Sequence, residues 1–252
     1  VLVGIIGVFV FFWLISAGKL GFMPTFEELE NPNNRFASEV YFADGPIMNR
    51  YFEKENRKYI EYREIPQSVI DALIATEDVR FYDHSGVDVR GLFRVAKRLL
   101  TANTSAGGGS TISQQLAKML FPRESDLNVF ELAIRKFREW VIAVRLEKSY
   151  TKEEILTMYL NKYDFLNLAV GISSAADIYF QVPLDSLKVE QAAMLIGMAK
   201  NSSYYNPVRR PELTLNRRNV VLSQMYKYDK ITREECDSLK KLPLGLNFKR
   251  VD

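Results

Sequence analysis

The chain has 252 residues, 47% of them hydrophobic and 26% charged, and its 34 Lys and Arg against 31 Asp and Glu leave a net charge of +3. This composition suits a folded chain with one sizeable core or two small ones and argues against disorder. The small positive excess, with no basic tract interleaved with aromatics, argues against a nucleic-acid partner; a single cysteine, Cys236, and a single histidine, His84, exclude an internal disulfide and disfavour a zinc site.

The first element, "VLVGIIGVFVFFWLISA", carries no charge before Lys19. At ~1.5 Å per residue it covers roughly 26 Å, a little short of a ~30 Å hydrocarbon core, and its length and its Phe and Trp content favour a membrane anchor over a cleaved signal peptide. Residues 1–18 are therefore read as a transmembrane anchor, with the rest of the chain on one side of the membrane. Residues 19–63 form a membrane-proximal linker: "SEVYFADGPIMNRYF" gives two β-prone runs around an Asp44–Gly45 turn signal. Residues 64–230 read as a mainly α body. Val69, Ile70, Leu73 and Ile74 fall at helix spacing, as do Ile112, Leu116 and Met119, then Ile134, Phe137, Val141 and Val144. Glycine and proline separate these helices at "TSAGGGS", "FPRESD" and "NSSYYNPVRRP". In residues 231–252, "TREECDSLKKL" opens on a Thr-x-x-Glu capping signal and leads into a linker.

Three segments carry candidate chemistry. In "ATEDVRFYDHSG" the apolar stripe Ile70, Leu73, Ile74 continues to Glu77 and Phe81, which puts Glu77 on the buried side and turns Asp78 about 100° away. Desolvation strengthens a carboxylate as a base, toward taking a proton from a hydroxyl; the alternative is an acid at a helix end that meets solvent or pairs with Arg80 or His84. In "GGGSTISQQLAK", Thr111 and Gln114 fit a capping box, and Thr111, Gln114, Gln115 and Lys118 share a face opposite Ile112, Leu116 and Met119. A helix start with a lysine one face down suits a phosphate, although no Gly-Lys-Ser/Thr makes it a P-loop, and taken alone the segment is better explained as a mobile surface loop before an ordinary capped helix. In "IRKFREWVIAVRLEK", Arg135 and Glu139 lie four apart, and Glu139 is followed on its own face by Ile142 and Leu146, so it borders the core or belongs to a salt-bridged solvated helix. Ser238-x-x-Lys241 matches a penicillin-reactive spacing but has no Lys-Thr-Gly or Lys-Ser-Gly to complete it.

Taken in order, "EDVRFYDHSG", "GGSTISQQLAK", "RKFREW", "KEEILTMYLN" and "GISSAADIYF" resemble the successive motifs of the peptidoglycan glycosyltransferases, glycosyltransferase family 51, from about Glu39 through Met225. The resemblance implies a mainly α, lysozyme-like bilobal glycosyltransferase domain with an N-terminal transmembrane helix and a small β linker. It implies polymerisation of lipid II into β-1,4 glycan by inverting single displacement, with undecaprenyl diphosphate leaving. By position Glu77 matches the general base and Glu139 the second acid; Asp78, Ser110, Thr111, Gln114, Gln115, Lys118, Arg135 and Lys136 match substrate-binding positions, and Phe81, His84 and Gly86 structural ones. The resemblance fixes no cofactor; a divalent cation at the donor diphosphate is the one that it admits. The implied partners are lipid II, the nascent glycan, the lipid bilayer and cell-wall synthesis and division proteins. The implied location is the bacterial inner membrane, single-pass, with the catalytic domain outside the cytoplasm. Val182 and Ser202 depart from the family pattern, at a usual lysine and a usual proline. Family members often continue into a penicillin-binding transpeptidase domain, and the end at Asp252 reads as the front part of such a protein. A lytic glycosidase and a non-enzymatic wall scaffold are the competing readings.

Overall fold

A computed structural model describes residues 2–21, 23–25, 38–41, 47–51, 58–93, 109–120 and 128–249. The Asp44–Gly45 turn, the glycine loop up to Gly108 and the "FPRESD" segment lie outside the described residues. The elements are α1 (Leu2–Ser16), β1 (Ser38–Tyr41), β2 (Ile47–Tyr51), α2 (Gln67–Glu77), α3 (Ile112–Leu120), α4 (Val129–Ser149), α5 (Lys152–Lys162), α6 (Ile172–Phe180), α7 (Val189–Met198), α8 (Pro211–Lys227) and α9 (Arg233–Lys241). The protein is mainly helical, with β1 and β2 paired antiparallel, Ser38 opposite Tyr51, and a register shift between Val40 and Tyr41. The path divides into two units: Val1–Asn33 with Arg80–Ile155, and Asn34–Val79 with Leu156–Asp252.

In the first unit α4 is the central helix, opened by Asn128, whose side chain accepts from Glu131 N–H while Glu131 accepts from Asn128 N–H. The expected stripe Ile134, Phe137, Val141, Val144 is only half-buried, and Ile142, Ala143 and Leu146 are the apolar residues enclosed. The reason is that α4 has two apolar faces. One packs with α3, and the other receives α1, whose Phe11 and Phe12 rings stand edge-on to Phe137 at 5.3 and 5.7 Å. Arg145 fastens this contact, donating from Nη2 to Ser16 O (2.8 Å) and Oγ (2.7 Å) and from Nη1 to Pro24 O (3.0 Å), a cation at the negative end of α1. α1 has 15 residues, about 22 Å of helix, and no helix among the described residues is long and apolar enough to cross a membrane.

In the second unit α2, α7 and α8 pack on one another, and the predicted face Val69, Ile70, Leu73, Ile74 is buried there. Asn161, buried in α5, accepts from Ile60 N–H (3.0 Å) and donates to Ile60 O (2.8 Å), which fixes the chain entering α2. The Thr232 capping signal forms as read, with Glu235 N–H donating to Thr232 Oγ1. The end of α9 is closed by Arg218 of α8, a fully buried arginine that donates to Lys240 O, Leu242 O and Pro243 O at 3.2, 2.8 and 2.8 Å. Burial pulls its guanidinium below the usual arginine range, with Glu190 opposing. Beyond α9 the chain runs along α6, with Asn247 and Lys249 N–H donating to Tyr179 O and Ile178 O. Arg218→Ala leaves these carbonyls without their donor and is expected to cost about 2 to 3 kcal/mol in a urea titration.

Leu166, Asn167 and Leu168 lie consecutively at φ 65°, 52° and 66°. This left-handed turn is held by Leu166 N–H donating to Asp164 Oδ1 and by Asn167 Nδ2 donating to Tyr179 Oη. Leucine in this region costs roughly 1 kcal/mol, and Leu168 is exposed. Leu168→Gly is therefore expected to raise stability by about 1 kcal/mol, read as a Tm increase of ~3 °C.

Candidate active site

Glu77 is the last residue of α2. Its Oε1 accepts from Arg217 Nη2 at 3.3 Å, with the two side chains 13% and 11% exposed. The carboxylate thus lies at the apolar side of α2, as its spacing predicts, but in an ion pair with α8 rather than among apolar groups alone. Arg80, weighed above as its partner, pairs with Asp88. Asp78 differs from the reading: it is buried too, because α2 ends at Glu77 and Asp78 leaves the helix at φ −156°, so the 100° step no longer applies.

Two tyrosines of the same unit share this environment. Burial, and then the negative charge of Glu77, push the Tyr159 hydroxyl well above its usual range, and Tyr163 is raised by burial and Glu77 against the opposing effect of the adjacent Ser202 hydroxyl. Both stay protonated at neutral pH, so neither is a base; Tyr163 Oη donates to Met198 O at 3.1 Å. Ser202, at the position of the family's usual proline, ties this loop: its hydroxyl donates to Asp164 O at 2.7 Å and lies 3.0 Å from Tyr163 Oη.

The remaining predicted residues lie in the first unit. Thr111 caps α3, accepting from Gln114 N–H, but the reciprocal half of the box is diverted: Gln114 Nε2 and Thr111 Oγ1 both donate to Gly86 O, at 3.4 and 2.6 Å. The polar face of α3 is accordingly buried, Gln114 fully so, while Gln115 is half-buried. Gly86 has φ +91°, and a Cβ there would stand 2.7 Å from the Ala143 carbonyl, so this turn lies directly on the backbone of α4. Phe81 is fully buried, edge-on to His84 at 6.2 Å.

Along α4 and α3 a charged array forms. Lys136 Nζ donates to Glu139 Oε2 and to Ser110 Oγ, both at 2.9 Å, and Lys118 Nζ lies 3.9 Å from the same carboxylate oxygen. Glu139 is buried, as its face with Ile142 and Leu146 predicts, but it pairs with Lys136 and Lys118 rather than with Arg135, which is half-buried on α4. Two ammonium groups thus converge on one carboxylate, and these three groups together sum to one positive charge. A divalent cation fits poorly on these protein atoms alone: among the described residues no three of His, Cys, Asp and Glu are grouped to hold one, and Glu139 already faces two lysines. Its other ligands would have to come from a diphosphate.

A second cluster escaped the sequence reading. Lys152 Nζ donates to His84 O and Glu147 at 2.7 and 2.8 Å and sits 4.3 Å over the Phe81 ring, while Ser113 Oγ donates to Glu147 Oε1 at 2.5 Å. These contacts join three motif segments. Asp88 caps the helical turn that follows: burial opposes its charge, but Gly91 N–H and Arg80 outweigh it and hold its carboxyl below the usual aspartate range.

The Transglycosylase family model matches residues 44–226, most of the chain. The chain belongs to this family, and the domain it carries is a peptidoglycan glycosyltransferase domain. It is 36% identical over 226 residues to penicillin-binding protein 1A of Escherichia coli, covering 90% of this chain and 26% of that protein. It is 37% identical over 196 residues to penicillin-binding protein 1F of Bacillus subtilis, covering 78% and 27%. A crystal structure of penicillin-binding protein 1A from Haemophilus influenzae aligns with TM-score 0.49 and 22% identity over 86% of this chain and 22% of that one. The chain thus spans about a quarter of the length of these relatives.

Proposed function

We propose that this chain polymerises lipid II into β-1,4 glycan strands, with its two units as the two lobes of a lysozyme-like transferase domain. Glu77 acts as general base on the acceptor sugar hydroxyl, which displaces the diphosphate in a single inverting step. The leaving group is already ionised, so the need is not a general acid but positive charge where negative charge grows. Lys118 and Lys136 supply it, Glu139 holds the two lysines in place, and Arg135 adds charge along α4. Ser110, Thr111, Gln114 and Gln115 are substrate-binding residues of the first unit and Asp78 one of the second, while Phe81, His84 and Gly86 are structural residues of the first unit. Should a divalent cation join the diphosphate, Glu139 is the carboxylate to meet it, and it would supply further charge stabilisation.

The observation that carries the reading is the Lys136–Glu139–Lys118 array, which a neutral glycan would leave without a task. The bilayer belongs to the same reading. α1 exposes Ile6, Phe9, Val10 and Trp13, and the start of α4 exposes Val129, Phe130 and Leu132, apolar surface suited to a lipid-linked substrate. In this reading α1 is part of a single-pass anchor in the bacterial inner membrane, the catalytic domain lies outside the cytoplasm, and wall-synthesis and division proteins are the neighbours. The test is to give the detergent-solubilised chain purified lipid II and resolve the products by size. Polymer is the expected result; shortening of preformed glycan with no polymer would instead make the protein a lytic glycosidase.

A further inference from the structure

Arg217 opens "RRNVVLSQM", the stretch at which the family resemblance ends, and its guanidinium is tied to Glu77. Its side chain is held along its length. The stem lies against Gly197, where a Cβ would come within 3.2 Å of Arg217 Cγ and press the stem aside by a few tenths of an ångström. Nε donates to Gly197 O at 3.3 Å, the guanidinium carbon lies 5.7 Å from the Tyr205 ring, and Nη2 reaches Glu77. A guanidinium gripped on two sides before it meets the carboxylate gives that contact a fixed direction.

Stability is a weak reason for such a pair. Removing both charges from water costs as much as their attraction returns, and an apolar pair of similar volume would hold α2 to α8 equally well. The arrangement suits a base that has to be charged and aimed before substrate arrives.

We propose that Arg217 is a positioning residue of the transferase, clamped by Gly197 and Tyr205 so that it presents Glu77 as an oriented carboxylate. This rests on the reading of Glu77 as the base. Arg217 touches no reacting atom in this account. Its loss acts through Glu77 and falls on turnover rather than on substrate affinity.

The experiment measures lipid II polymerisation by the full chain in detergent for wild type, Arg217→Ala, Arg217→Lys and Glu77→Gln, each checked for folding by circular dichroism and thermal melting. Arg217→Ala is expected to lower kcat about a hundredfold with KM within about threefold, the scale on which a misplaced reacting group costs rate. Arg217→Lys, which keeps the charge and most of the stem, is expected to recover about tenfold of that loss, and added guanidinium ion at concentrations below those that unfold the protein is expected to restore part of the Arg217→Ala rate. A folded Arg217→Ala with wild-type kcat overturns the proposal, as does a raised KM at unchanged kcat, which would make Arg217 a substrate ligand. A loss that neither lysine nor guanidinium relieves also overturns it, leaving a purely structural arginine. The two ideas separate cleanly: activity in Glu77→Gln removes the base and with it this proposal, whereas an inactive Glu77→Gln beside an active Arg217→Ala removes this proposal alone.

Discussion

Glu77→Gln is expected to lower the rate of lipid II polymerisation about a thousandfold while the protein stays folded. Glutamine has nearly the shape of glutamate and keeps an oxygen able to accept from Arg217 Nη2, so the end of α2 and its contact with α8 survive. What is lost is the ability to take a proton. A positioned base contributes typically ~10² to 10⁴ in rate, and the hydroxyls of Tyr159 and Tyr163, which burial alone holds above their usual range once the Glu77 charge is gone, cannot stand in for it. The measurement is the initial rate of polymer formation at saturating lipid II, beside a thermal melt. A Tm within a few degrees of wild type with polymer absent is the expected pair of results. A folded variant that polymerises at the wild-type rate would strip Glu77 of its role.

The second large effect is on the fold of the first unit. Gly86→Ala places a methyl group 2.7 Å from the Ala143 carbonyl atoms and 2.8 Å from Val144 N, on a residue at φ +91°. Neither neighbour is a side-chain tip that swings aside, since both are backbone of α4. The backbone conformation costs an alanine about 1 to 3 kcal/mol, and overpacking about as much again, so roughly 4 kcal/mol of destabilisation is expected, a Tm loss of ~10 °C. The damage extends to α3, because Gly86 O accepts from both Thr111 and Gln114. Gly86→Ala should therefore also lose polymerisation in whatever fraction stays folded. A variant as stable and active as wild type would show that the turn has room that the structure does not give it.

The sequence was most legible where one helix face meets one neighbour. The α2 stripe, the Thr232 cap and the burial of Glu139 beside Ile142 and Leu146 all follow from local spacing. It was less legible where a helix serves two neighbours. α4 carries charged residues between its two apolar faces, and periodicity alone selects the more apolar one, which is half-covered by α1, over the one enclosed. Asp78 was misplaced because a helical angle was carried one residue past the end of the helix. Arg217 was out of reach for a different reason. It is 140 residues from Glu77 in the chain, and nothing in "RRNVVLSQM" distinguishes the arginine that meets a carboxylate from Arg218, which caps α9. The capping of Thr111 was visible, but not the diversion of Gln114 to Gly86, since a local motif does not announce a distant competitor for the same amide.

The interleaved chain path bears on how the protein is made. Asn34–Val79 leaves the ribosome early, but the helices that enclose α2, namely α7 and α8, are synthesised only after the whole Arg80–Ile155 stretch has passed. At ~5 to 20 residues per second, roughly ten to thirty seconds separate the appearance of α2 from that of the last residues of its unit. Until α7 and α8 appear, Val69, Ile70, Leu73 and Ile74 lack the helices that enclose them, and the first unit has the chance to form ahead of the second. Folding of the second unit thus closes a long loop, in which two contacts, Arg218 onto the end of α9 and Lys249 onto Ile178, wait for residues 240–249 to emerge.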